Sequence, residues 1–171
     1  MTTNKNELLI TKKDLDSNNF YKENSIDTDL PIHIEAGLGT VRFRGYVRTT
    51  SYILAESGEG IEAGLGITAG EGIEAGLGIK AGWGIKAGWG IEAGWGIKAG
   101  EGIKAGEGII TLSGSIKAKA VSCLRVAVGF NLDTEYTIEA KIQKGNVILG
   151  KVIEPKEEAS ESKSERKKQY E

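Results

Sequence analysis

Between Ala55 and Gly108 a six-residue unit runs nine times without interruption: AESGEG, IEAGLG, ITAGEG, IEAGLG, IKAGWG, IKAGWG, IEAGWG, IKAGEG and IKAGEG. So short and regular a period leaves few folds open. Gly at two of six positions would cost a helix interior roughly 1 kcal/mol each, and six does not match a 3.6-residue turn. Collagen needs Gly at every third residue, whereas here it stands at the fourth and sixth positions. A single flat, silk-like strand of roughly fifty residues is far beyond the usual three to ten. The fifth position holds Leu65, Leu77, Trp83, Trp89 and Trp95, but also Glu59, Glu71, Glu101 and Glu107. A site that takes Glu as readily as Trp is not core, because an unpaired buried carboxylate is costly; it reads as an outward corner. The remaining solution is all-β: short Ile-x-Ala strands with Ile and Ala inward, bent at Gly-x-Gly, where Gly tolerates positive φ. Such units stack as a single-stranded β-helix, or β-solenoid.

With three sides of one hexad each, a coil takes about 18 residues and equivalent residues stack about 4.8 Å apart. The core is then three Ile columns: Ile61, Ile79 and Ile97; Ile67, Ile85 and Ile103; Ile73, Ile91 and Ile109. The outward second position gives Glu62, Lys80 and Lys98 on one side, and Thr68, Lys86 and Lys104 on the next. The third side is expected to carry an acidic ladder of Glu56, Glu74 and Glu92. Trp83, Trp89 and Trp95 fall on three different corners of one coil, a girdle instead of a stripe. Trp is enriched at binding hot spots, so the girdle and the charged columns are the candidate interaction surface.

Outside the perfect block, residues 1–30 are polar and charged and read as an arm or cap. Alternation begins at Pro31, with an early copy of the repeat, IEAGLG, at 34–39, and continues to about residue 153, which bounds the solenoid at 31–153. The segment 154–171 is charged without apolar pattern and reads as a disordered tail. The net charge of −2 gives no general pull toward nucleic acid or anionic membrane. No stretch approaches a membrane span, the start lacks a signal-peptide core, and the lone Cys123 fits a reducing compartment. These features predict a soluble, intracellular, cytoplasmic protein.

Motifs of chemistry are weak. GLGITA at 64–69 matches a dinucleotide fingerprint only because the repeat generates it. With one His and one Cys, no metal cluster or hydrolytic triad is expected. His33 alternates with Ile32 and Ile34 and reads as a surface side chain; Cys123 reads as a small core residue. Arg42, Arg44 and Arg48, with Phe43, Tyr46 and Tyr52, form one basic-aromatic cluster whose arginines face outward. On a chain of this charge it is a thin basis for direct nucleic-acid contact. No cofactor is expected.

The short period resembles that of hexapeptide-repeat acyltransferases, which place an aliphatic residue inward on a left-handed β-helix. Here the small inward residue follows the Ile (Ile79, then Ala81), and the His base of those enzymes has no counterpart. The resemblance implies a shared fold and not a shared activity. The layout is also similar to that of bactofilins: a β-helix with polar tails, to which SIKAKAVS, TIEAKI and GNVILGKV of residues 116–150 correspond most closely. That resemblance implies end-to-end polymerisation. Perfect repeats suggest recent duplication, as in genes of phages and mobile elements.

Together these readings predict a non-enzymatic β-solenoid acting as an intracellular protein-interaction or scaffold module. The alternatives are a self-assembling, bactofilin-like polymer, and a phage or prophage anti-defence protein whose charged rod blocks a nucleic-acid or protein groove.

Overall fold

The computed structural model describes residues 2–4 (backbone only), 6–129 and 136–155; the charged segment 156–171 lies outside the described residues. The chain is all-β: one parallel sheet wound into a β-solenoid of about six turns. Each Ile-x-Ala unit from Ile67–Ala69 to Ile97–Ala99 is a three-residue strand whose outer residues are buried and whose middle residue faces out. The strands bond to those one coil before and after. Ile79 lies between Ile61 and Ile97, Ile85 between Ile67 and Ile103, and Ile91 between Ile73 and Ile109. These are the three Ile columns anticipated from an 18-residue coil, and every member is at most 2% exposed.

The glycines do a different job from the one expected. None of the glycines from Gly60 to Gly108 has positive φ. The fourth-position glycines are required by closeness. A Cβ on Gly88 would overlap the carbonyl of Gly70 in the coil beneath, and one on Gly82 the carbonyl of Gly64. The sixth position is less crowded and at some corners has room: a Cβ on Gly90 would lie 3.6 Å from the Gly108 oxygen, although one on Gly96 would come within 2.9 Å of Ser115. The two glycines of each corner are therefore unequal.

Two segments that look like copies of the hexad are not strands. AESGEG at 55–60 contributes only its ends to strands, Ala55 to Ile53–Ala55 and Gly60 to Gly60–Ala63, and IEAGLG at 34–39 contributes only Ile34, to Ile32–Ile34. Residues 56–59 and 35–39 form wide corners, turned at left-handed Gly58 (φ 89°) and Gly37 (φ 84°). Ile53 consequently pairs with Ile73, two residues further along than the eighteen that separate Ile73 from Ile91. Glu59, at an expected outward position, is buried in this wider corner at 2% exposure. Its Oε1 accepts the Gly37 N–H at 2.7 Å, and its Oε2 has no hydrogen-bond partner among the described residues.

Beyond the perfect block the next corner keeps one glycine, left-handed Gly114 (φ 79°), and the strand that follows has none. Ile116–Val128 is one thirteen-residue strand crossing all three sides, with Ile116 on Ile97, Val121 on Ile103 and Val126 on Ile109. Its sides are five residues long, and its pairing with Thr137–Leu149 absorbs the mismatch in four register shifts.

At the other end, Glu7–Ile10 and Ile26–Thr28 belong to the first turn, pairing with Ile32–Ile34 and Val47–Thr49. Thr2–Asn4 runs antiparallel along Glu7–Leu9. Leu15 and Tyr21 are buried there, and the Tyr21 ring meets Phe43 at 5.5 Å between centroids. This arrangement covers the end of the Ile stack and occupies part of the strand edge that an open solenoid would expose.

Candidate interaction surface

The register sorts the outward side chains into three columns. The first side reads Arg42, Glu62, Lys80, Lys98 and Lys117, and the second Asp27, Arg48, Thr68, Lys86, Lys104 and Ser122. The third reads His33, Leu54, Glu74, Glu92 and Ile110. Glu56 is thus not part of an acidic ladder. The two extra residues in the wide corner move it off the side, where its Oε1 meets His33 Nε2 at 2.8 Å, and Leu54 takes its place over Glu74. The ladder shrinks to Glu74 and Glu92, between Leu54 and Ile110.

Charge on the first side is largely compensated within the column. Glu62 accepts from Lys80 Nζ at 2.6 Å and from Arg42 Nε at 3.4 Å. The Lys80 hydrogen bond, with the nearby Arg42, holds the Glu62 carboxyl below its usual range against the opposing effect of burial. Lys117 pairs with Glu139 at 2.7 Å, and Lys119 with Glu101 at 2.7 Å. Lys86, Lys98 and Lys104 have no ion pair among the described residues, and neither do Glu71, Glu74, Glu92 and Glu107.

Stacked like charges one coil apart repel mildly. Replacing Glu92 with Lys should therefore recreate on the third side the Glu62–Lys80 arrangement of the first. The expected result is a gain of about 0.5 kcal/mol in urea unfolding; a loss would show that Glu74 and Glu92 do not repel.

The basic-aromatic cluster is engaged within the chain. Arg44 Nη2 donates to Asp16 at 3.0 Å, and its guanidinium lies 4.5 Å over the Phe20 ring. Arg42 Nη1 donates to the Asn18 carbonyl at 3.1 Å, and Arg48 Nη1 to Asp27 at 3.4 Å. Backbone N–H groups of Phe20 and Asn18, with Arg44 adding, hold the Asp16 carboxyl below its usual range. The arginines face outward as expected, but they clasp the first turn instead of standing free. His33 is likewise not a plain surface side chain: it sits between Glu56 and Glu7, the latter at 3.5 Å. Cys123 is buried at 2% exposure, as expected of a core residue, and burial pushes its thiol pKa up.

The tryptophans form the girdle anticipated from their spacing. Each stands at a corner of one coil, held by a backbone ladder: Trp83 N–H donates to Leu65, Trp89 to Glu71 and Trp95 to Leu77. They are 62, 61 and 65% exposed. Most of each indole surface is open to solvent. A groove of about 470 Å³ runs beside Trp83 over Lys86 and Lys104 of the second side. A larger one, about 780 Å³, follows the third side beside Trp89.

The second groove is the feature that sequence reading missed. Leu54, Ile110 and Ile148 line it from outside the perfect repeats; Leu54 joins the column only through the coil-length change at residues 56–60, while Ile110 continues it one ordinary coil after Glu92. Among the described residues no group of His, Cys, Asp and Glu is placed to hold a metal ion, and no helix is long and apolar enough to cross a membrane. No protein-family model matches the chain, and comparison with curated proteins and with solved structures returns no match.

Proposed function

We propose that this chain is a non-enzymatic β-solenoid that works by presenting surface, as a protein-interaction or scaffold module of the cytoplasm. The observation that carries this reading is the girdle: three indoles on one coil, each more than three-fifths exposed. Folding gains nothing from exposing Trp at every corner of a coil when Leu and Glu occupy the same corners elsewhere. Large rigid aromatics on a polar surface are the usual anchors of partner recognition.

The test is capture from bacterial lysate by the full chain and by the Trp83→Ala/Trp89→Ala/Trp95→Ala variant, with rebinding of the purified partners. The triple variant should lose the partners while unfolding at the same temperature. Retention of the same partners would reduce the girdle to a cover.

A second reading, assembly through the coil ends as the bactofilin-like layout suggests, has one specific observation in its favour. The last strands expose Ile148, Leu149, Val152 and Ile153 at 38–64%. The opposite end carries the antiparallel Thr2–Asn4 strand. Association by this route would pair two such apolar ends and stop at a dimer. Light scattering separates the outcomes: a dimer supports end pairing, long filaments support polymerisation, and a monomer at high concentration refutes both.

A further inference from the structure

The third side differs from the other two in composition and in what stands free on it. At the outward position where the first and second sides carry Lys80, Lys98, Lys86 and Lys104, the third carries Glu74 and Glu92, one directly above the other. Beside them, on the corner column, Glu71 and Glu107 flank Trp89, joined to it by backbone hydrogen bonds of 2.9 and 2.7 Å. Leu54 and Ile110 close the groove above and below this patch. Four carboxylates without an ion pair among the described residues thus surround one exposed indole in a concave apolar setting.

Each of these features selects the same ligand chemistry. Carboxylates about 4.8 Å apart on neighbouring coils can share one ammonium or guanidinium head between them, with charge-assisted hydrogen bonds to both. An exposed indole face attracts a cation, contributing on the order of 0.5–1 kcal/mol at an exposed site. The apolar ends of the groove suit the aliphatic stems of Lys and Arg, which pack on apolar surface while the head stays polar. The groove runs along the solenoid axis, so an extended chain lies in it more readily than the flat side of another rod. Trp89 and Trp95, exposed at the two corners bounding the third side, add bulk that disfavours such a flat surface. Among the described residues Arg125, at the far end of the groove, is the one cation in its lining that would oppose a basic ligand there.

We propose that the third-side groove binds an extended, lysine- or arginine-rich segment of a partner protein, with cationic heads lodged between Glu74 and Glu92 and over Trp89. This rests on the interaction-module reading and names the partner's chemistry.

The test uses the full chain carrying Trp83→Phe and Trp95→Phe, which leaves Trp89 as the single indole of the three in the sequence. An octalysine peptide should change its emission saturably, and an octaglutamate peptide should not. Adding Glu74→Gln and Glu92→Gln should weaken octalysine binding about tenfold or more, whereas Lys86→Gln and Lys104→Gln should leave it unchanged or tighter. Calorimetry of the wild-type chain with octalysine supplies a readout independent of the Trp substitutions. The proposal is overturned if octalysine gives neither signal, or if the Glu variants bind it as well as the parent does. It is also overturned if light scattering shows self-association that the Glu variants abolish, because the occupant is then a second copy. Loss of lysate partners in the triple Trp variant combined with failure of octalysine would preserve the interaction module and remove only its cationic partner. Retained partners with successful octalysine binding would do the reverse.

Discussion

Replacing Gly88 with alanine should destabilise the protein by about 3 kcal/mol or more, while the same change at Gly90, two residues away in the same corner, should be close to neutral. The added methyl at position 88 falls on backbone: it overlaps the Gly70 carbonyl oxygen and lies 2.9 Å from its carbon. Neither partner can yield, because the Gly88 N–H is bonded to Ala69 in the coil beneath at 3.2 Å and the adjoining strands are locked in ladders. At position 90 the added methyl finds the Gly108 oxygen at 3.6 Å, an ordinary contact, on a backbone that does not need positive φ. Losing the freedom of glycine in the unfolded chain then contributes about 0.4–1 kcal/mol in favour of the alanine variant. Thermal denaturation of both variants decides the matter. A drop on the order of 10 °C for Gly88→Ala, with little change or a small rise for Gly90→Ala, is expected. Equal effects would mean that these glycines are selected for flexibility instead of clearance.

The second large effect is expected in the core. Ile91→Ala should cost about 3–4 kcal/mol and Ile91→Val about 1 kcal/mol. Ile91 is 1% exposed and sits between Ile73 and Ile109 in its column. The cavity cannot collapse, because the parallel ladders above and below hold the coils at fixed spacing and all three sides must move together. In a solenoid each coil contacts only its neighbours, so a weak coil interrupts the stack. Urea unfolding should therefore lose cooperativity in Ile91→Ala before it does in Ile91→Val. Changing exposed Trp89 to Ala in the same coil should shift stability by no more than about 0.5 kcal/mol. A comparable loss there would place the indole in the core energetics and weaken its assignment to recognition.

Much of the fold was legible because the repeat states one physical rule nine times. Ile at the first position and Ala at the third can both be buried only if the second faces out and the parity resets at each corner. That logic places the Ile columns, the lysines of two sides and the tryptophan girdle where the structure has them. It misread the first hexad. AESGEG copies the spacing of the repeat but lacks its Ile, and Ile53–Ala55 had already supplied that strand. The text alone does not distinguish a six-residue side from a strand followed by a longer turn. The consequence reached the candidate site, removing Glu56 from the third side and installing Leu54.

The arginine cluster shows a second limit. Alternation correctly turns Arg42 and Arg44 outward, but only contacts across more than twenty residues reveal that Asp16 and the Asn18 carbonyl already occupy them. His33 was misread in the same way, its partners Glu7 and Glu56 lying one coil to either side.

By itself, then, the sequence determined the solenoid, its three-sided coil and the identity of its core. Those follow from local parity and from the burial of Ile and Ala, repeated until no other packing is consistent. The tertiary structure decided why glycine is needed at the fourth position, which charges remain unpaired and where the apolar groove opens. Each of these depends on what lies one coil away. Contacts of that kind are set by the number of residues per coil, and two additional residues at one corner are enough to put Leu54 instead of Glu56 over Glu74.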